Sequence, residues 1–169
     1  NYTVSYDEET AVAAIGDAGY TSLQEALDDA SGDTVTLLAP LEVTDQLVVS
    51  DDVTLDLGQN KLTSSFQGYA ITVNDGKSLT IKNGTLENTA AGGVEVGCDG
   101  VITVENDAVI TANGSTIRSK SYNADSQPNP GRVTFNVYGT LNSLATSSAG
   151  ILGNGQANVF NIDGATINS

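Results

Sequence analysis

An apolar pair, a polar turn carrying Gly or Asn, and a further apolar residue recur along this chain. The phrase reads Leu55-Asp-Leu57-Gly-Gln-Asn-Lys-Leu62, Thr80-Ile81-Lys-Asn-Gly-Thr-Leu86, Val109-Ile110-Thr-Ala-Asn-Gly-Ser-Thr-Ile117, Asn136-Val137-Tyr-Gly-Thr-Leu141 and Asn161-Ile162-Asp-Gly-Ala-Thr-Ile167. The residues closing it are spaced 24, 31, 24 and 26 apart. A period of this size marks stacked units, none of which can bury its apolar face alone. Between the turns, runs such as Val53-Thr-Leu55-Asp-Leu57, Leu79-Thr-Ile81, Val101-Ile-Thr-Val104 and Val133-Thr-Phe135-Asn-Val137 alternate apolar and polar residues, the signature of half-buried strands. Three short strands and three turns per period of about 25 residues predict an all-β fold, a right-handed parallel β-helix of about five coils. A two-sheet sandwich is the alternative, but its hairpins impose no such repeat.

The first fifth reads differently. Tyr2, Val4 and Tyr6 alternate as a strand, Ala11 to Ile15 reads as a second, and Gly16-Asp-Ala-Gly19 as a turn. Ser22-Leu-Gln-Glu25 is a capping box, and Leu23, Ala26, Leu27 and Ala30 follow at helical spacing, with Gly32 as the expected stop. A short amphipathic helix placed just before the first coil is expected to cover its open end. The predicted division is therefore 1–33 for the N-terminal strands and capping helix, and 34–169 for the solenoid. One polar stretch with two prolines, from Ser119 to Gly131, carries no strand pattern and is expected to project from the wall as a loop.

Composition narrows the function classes. The 169 residues carry 21 acids and 6 cations, a net charge of −15 that repels phosphate backbones and so argues against nucleic-acid binding. No run approaches the ~20 apolar residues of a membrane span. The single Cys98 forms no internal disulfide, and without any His there is no Cys–His pair to activate it; a small packed core residue is the expectation. The chain starts without Met and stops just after the last repeated turn, so it is expected to be part of something longer, truncated at its C-terminal end.

The residues Tyr20-Thr-Ser22-Leu23-Gln-Glu25-Ala26-Leu, Gly32-Asp33-Thr34-Val35-Thr36-Leu37-Leu38 and Val53-Thr54-Leu55-Asp56-Leu57-Gly58 resemble the opening of pectin-lyase-like β-helix domains. The likeness is to the non-enzymatic kind in large surface proteins of Gram-positive bacteria, with related β-helices in phage tail spikes, fibres and capsid decorations. It covers Tyr20 to Thr63; the later coils match in rhythm only. It implies an extracellular place, on a bacterial cell or a virion.

Enzymes of that superfamily resemble one another in motifs absent here. There is no His for a Gly-His-Gly segment, and Arg118 and Arg132 lie in no lyase-like motif. Asp28, Asp29, Asp33 and Asp51-Asp52 match neither an EF-hand nor a calcium β-roll. Gly58, Gly84, Gly114, Gly139 and Gly164 lack the Lys-Ser/Thr ending of a phosphate loop and read as turns needing positive φ.

These readings predict no catalytic residues, no metal and no cofactor. The first functional expectation is a non-enzymatic structural or display module. A polysaccharide-binding wall, with Tyr69, Tyr122 and Tyr138 as stacking rings, is the alternative. A lyase or hydrolase using Glu95 and Glu105 is a third reading. Candidate partner-contact residues are Arg118, Lys120, Tyr122 and Arg132 around the projecting loop, since Tyr and Arg favour interfaces. Expected partners are a surface glycan, a neighbouring structural protein, or further copies of the chain (three if viral).

Overall fold

The computed structural model describes residues 10–121, 131–154 and 157–169. Its strands wind through three walls in turn. The first coil consists of β3 (Thr34–Leu37), β4 (Leu41–Val43) and β5 (Leu47–Val49). Then come β6 (Val53–Asp56), β7 (Lys61–Ser64) and β8 (Ile71–Val73), followed by β9 (Ser78–Lys82), β10 (Gly84–Asn88) and β11 (Val94–Val96). The fourth coil has β12 (Val101–Val104), β13 (Ala108–Ala112) and β14 (Ile117–Ser119), and the fifth β15 (Thr134–Val137), β16 (Thr140–Ser143) and β17 (Ile151–Leu152). Two more strands, β18 (Val159–Ile162) and β19 (Thr166–Asn168), begin a sixth. Every third strand pairs in parallel, so the first strands of successive coils form wall A, the second strands wall B and the third strands wall C. The fold is a parallel β-solenoid of about five turns, and the sandwich alternative is excluded.

Register turns the sequence periodicity into columns. Inward on wall A run Val35, Leu55, Ile81, Val104, Val137 and Ile162. Inward on wall B run Leu41, Leu62, Leu86, Ile110, Leu141 and Ile167. The middle members of both columns are fully buried. Each such Leu or Ile contributes roughly 1.5–3 kcal/mol relative to exposure.

Wall B corrects the expected phase. Leu86 stacks on Ile110, whereas Ile117 stacks on Val94 in wall C. Four of the repeated phrases turn the corner from wall A to wall B; the Val109–Ile117 phrase turns from wall B to wall C. In true register the long step lies between Ile110 and Leu141, which spans the polar stretch after Ser119. The irregular spacing and the loop are therefore one insertion, at the corner between walls C and A.

At the N-terminal end three devices cover walls A and C, while β4 of wall B pairs on one side only. β1 (Ala13–Ile15) pairs antiparallel with β3, and β2 (Ala18–Tyr20) pairs antiparallel with β1. Only Gly16 and Asp17 form the turn, with Gly16 at φ +55°, so the expected four-residue turn contracts to a two-residue hairpin loop. The predicted Ala11–Ile15 strand begins two residues later, at Ala13. The third device is α1 (Leu23–Asp29), N-capped by the Ser22 hydroxyl as predicted, with Leu23, Ala26 and Leu27 buried. It ends at Ala30, in extended conformation, before Gly32. Gly32 acts afterwards, at φ +82°, where its amide reaches the Asp52 carbonyl.

α1 does more than cover apolar atoms. The Gln24 side-chain amide donates to the Val48 carbonyl at 2.9 Å, and its oxygen accepts from the Val48 amide at 2.8 Å. Gln24 thus supplies the two hydrogen bonds that a preceding coil would give to β5. The predicted Tyr2–Tyr6 strand lies outside the described residues.

Inside the corner between walls B and C, Asn88 is fully buried. Its amide donates to the carbonyls of Gly68 at 2.8 Å, Gly92 at 2.7 Å and Phe66 at 3.2 Å, and its oxygen accepts from Ala90 and Ala91. Two of the turn glycines differ from expectation: Gly114 and Gly139 are absent from the positive-φ residues, which include Gly58, Gly84 and Gly164. At Gly139 the requirement is space, because a Cβ there would collide with the carbonyls of Glu105 and Ala108.

Asn88→Ala is expected to destabilise the chain by about 2–4 kcal/mol, since a fully buried side chain that bridges three carbonyls and two amides of the corner is removed. Urea denaturation followed by circular dichroism measures it, and a change under about 0.5 kcal/mol contradicts this role for Asn88.

Candidate functional site

The acids are the natural place to look for chemistry, and the fold employs them structurally. At the corner between walls C and A, the Asp52 carboxylate accepts from the Ser78 amide (2.9 Å) and hydroxyl (2.8 Å). One coil on, Asp75 accepts from the Cys98 amide at 2.9 Å, and Asp99 from the Arg132 amide at 2.8 Å. At the corner between walls A and B, Asp107 accepts from the Asn83 amide at 2.9 Å. Each carboxylate stands at a corner of the solenoid and accepts from a backbone amide of a neighbouring coil. Among the described residues no group of three or more Cys, Asp or Glu could hold a metal ion.

Asp56 shows how such a carboxylate is tuned. Partial desolvation pushes its pKa up, but the Gly58 amide, the Asn83 side-chain amide and Lys82 outweigh it, so the net value lies below the usual 3.8. Lys82 is its register partner one coil on, 3.4 Å away. Three further cations bridge coils in the same manner: Lys61 to Glu87, Lys77 to Asp51 and Arg118 to Glu95.

The Arg118 pair is the most elaborate. Arg118 and Glu95 are register partners on the outer face of wall C. The Arg118 Nε donates to Glu95 Oε2 at 2.6 Å, and a terminal guanidinium nitrogen meets the same oxygen. The guanidinium lies over the Tyr69 ring, 4.2 Å from its centroid. Burial raises the Tyr69 pKa, an effect that Arg118 and Ser115 oppose. Below Glu95 in the same outer column, Thr72 is buried and its hydroxyl has no hydrogen-bond partner.

Of the predicted contact residues, Arg118 and Lys120 come together, lining a shallow depression with Glu95 and Ser121. Arg132 stands on the far side of the insertion, exposed, with its amide held by Asp99. Tyr122 lies outside the described residues. Glu95 and Tyr69 complete the patch, and their part in it was missed. The signal was the 23-residue step from Glu95 to Arg118, about one coil, which the mis-phased wall B column obscured. Tyr69 was expected as a stacking ring for sugar, but Arg118 occupies its face. Glu95 and Glu105 lie on different walls, Glu105 following β12 and Glu95 within β11. Cys98 is buried, as expected; desolvation first, then Asp75, raises its pKa and so keeps the thiol protonated.

Charge is graded along the solenoid. The first 60 residues hold 13 acids and no cation, all six cations fall between Lys61 and Arg132, and Asp163 is the one charged side chain from Val133 to Ser169. Comparison with family models, with curated proteins and with solved structures finds no match to this chain.

A double-mutant cycle on Arg118→Ala and Glu95→Gln, read by urea denaturation, is expected to give a coupling of about 1 kcal/mol, because the pair is partly buried and held by two contacts. A coupling near zero contradicts the cross-coil clamp. Asp56 gives a pH test. Its folded pKa lies below the unfolded one, so its contribution is full above pH 3.8 and lost as pH falls through the folded value. The stability gap between wild type and Asp56→Asn should therefore close as pH is lowered from 7 to about 2. A constant gap would show that the carboxylate's charge is immaterial.

Proposed function

We propose that this chain is a non-enzymatic structural module, extracellular, of the pectin-lyase-like kind that spaces or displays other parts on a bacterial cell surface or a virion. The observation that carries the reading is the employment of the polar groups. Six carboxylates, Glu95 of the candidate enzymatic pair among them, are committed to corner amides or cross-coil ion pairs. What the chain offers its surroundings is shape. Wall A presents an outer column of Thr34, Thr54, Thr80, Thr103, Asn136 and Asn161, one per coil. Five coil steps of ~4.8 Å make that column ~24 Å long. A high negative charge keeps such a rod soluble and away from anionic surfaces. Among the described residues no helix is long and apolar enough to cross a membrane.

Rigidity is the property a spacer requires. Nitroxide labels at Thr34→Cys and Asn161→Cys, both exposed ends of the wall A column, should give a narrow distance distribution centred at ~24 Å plus the label arms. A broad distribution contradicts a spacing role. Incubation with acidic and neutral polysaccharides provides the second arm. No product is expected, and turnover abolished by Glu95→Gln would replace this reading with an enzymatic one. Retention on the polysaccharide without turnover would favour the glycan-binding alternative.

A further inference from the structure

Three asparagines of this chain precede glycine: Asn83-Gly84, Asn113-Gly114 and Asn154-Gly155. The dipeptide carries a chemistry of its own. Glycine has no side chain to shield its amide, so that nitrogen can reach the asparagine side-chain carbon and close a succinimide ring. In a folded chain the outcome depends on how firmly each partner is held.

Asn83 is held on every side. Its backbone is left-handed, at φ +59°. Its amide donates to the Asp107 carboxylate at 2.9 Å, its side-chain amide donates to Asp56 at 3.0 Å, and its carbonyl accepts from Gln59 at 2.6 Å. The nucleophile is engaged as well, since the Gly84 amide donates to the Asp107 carbonyl at 3.2 Å. Gly84 also has no room to swing: a Cβ there would lie 2.6 Å from the Asn60 carbonyl oxygen. Asn154 is fastened to the fourth coil. Its amide donates to the Ser119 hydroxyl and its carbonyl accepts from it, both at 2.6 Å, and its side-chain amide donates to the Ser119 carbonyl at 3.1 Å.

Asn113 is different. It is exposed, at the corner between walls B and C just after β13. Its backbone amide is anchored to the Asn88 carbonyl at 3.0 Å. Its side chain makes one long bond, 3.4 Å to the carbonyl of the exposed Thr89. A bond of that length is weak. Among the described residues the Gly114 amide donates to no group. A loosely held electrophile thus stands beside an unengaged nucleophile. The fold asks for glycine here on other grounds, because a Cβ would lie 3.1 Å from the Ala91 carbonyl carbon one coil back. Close stacking of turn on turn brings the lability with it.

We propose that Asn113-Gly114 is a site of spontaneous deamidation, with water as the co-reactant, and that its isoaspartyl product disturbs the register of the fourth coil. The Gly114 amide nitrogen gives its proton to hydroxide and attacks Asn113 Cγ. The N–Cγ bond forms, the Cγ–Nδ2 bond breaks, and the side-chain nitrogen takes a proton from solvent and leaves as ammonia. Water then adds to one of the two ring carbonyls. Opening on one side leaves an aspartyl residue at position 113. Opening on the other leaves an isoaspartyl linkage, in which the main chain runs through the former side chain. Either product adds one negative charge, and no oxidant or reductant takes part. Only the isoaspartyl product lengthens the main chain, by one methylene, between β13 and β14.

That corner has little slack. Before it, Ala112 is in register with Asn88 and Ser143; after it, Ile117 is in register with Val94 and Ile151. Within it, the Ser115 carbonyl accepts from the Gly93 amide, and the Thr116 amide donates to the Ala149 carbonyl. An added main-chain atom must displace one of these rungs. The proposal stands independently of the display role.

The full chain is incubated for weeks at mildly alkaline pH in heavy-oxygen water, folded and, in parallel, unfolded in guanidinium chloride. Peptide mapping with electron-transfer fragmentation locates each conversion and separates aspartyl from isoaspartyl forms. Heavy oxygen at the converted position marks conversion that preceded digestion. Unfolded, the three asparagines should convert at rates within about threefold of one another, because the fold no longer distinguishes them. Folded, Asn113 should convert at least about tenfold faster than Asn83 and Asn154. Anion exchange then isolates the converted chain by its added charge. Its isoaspartyl fraction should unfold at a lower urea midpoint than Asn113→Asp, which carries the same charge on an unaltered main chain. Conversion at Asn113 in the folded chain no faster than at Asn83 or Asn154 overturns the proposed site. An isoaspartyl fraction as stable as Asn113→Asp overturns its effect on register.

Discussion

Parallel, in-register pairing of each strand with the strand one coil on is the constraint on which the rest of this structure depends. No coil has a core of its own. Leu86 is dry because Leu62 lies on one side and Ile110 on the other, and the same holds for Ile81 between Leu55 and Val104. A residue facing inward must therefore match its neighbours in the column more than its neighbours in sequence. Wall A meets this with aliphatic residues until Phe135 and Phe160, which stack as a pair. The inner corner between walls B and C meets it with small or polar residues, Ser64, Asn88, Ala112 and Ser143.

The demand for register also explains where the charges went. A stack has only two kinds of position at which a polar side chain stabilises it: outward rungs, where it can reach the rung above or below, and corners, where backbone amides leave the ladder. Asp56–Lys82 and Glu95–Arg118 are of the first kind, Asp75 and Asp99 of the second. A carboxylate so held lowers the energy of one register over its neighbours. Shifting a strand by one residue would turn every column inside out.

Much of this was legible in the chain. The capping box at Ser22 and the Leu23–Ala26–Leu27 face led to α1 directly, since a helix signal is local. The strands of wall A were visible because four or more alternating residues precede each turn. The strands of walls B and C are two to five residues long, and some, such as Leu41–Val43, emerge only through pairing. The phase of the fourth coil was misread because Val109–Ile117 mimics the corner phrase of another wall, and local pattern carries no label for which wall it belongs to. The Arg118–Glu95 clamp was hidden by that same error. The Gln24 bonds to Val48 join residues 24 apart across a cap and leave no sequence pattern.

The sequence-based phase and the structural one make opposing statements about one contact, so methyl NOE spectroscopy with stereospecific labelling of Leu and Ile tests the stacking most directly. The account predicts a chain of cross-peaks from Leu62 to Leu86, Leu86 to Ile110 and Ile110 to Leu141. Cross-peaks that instead join Leu86 to Ile117 as stacked neighbours, with none to Ile110, would contradict it.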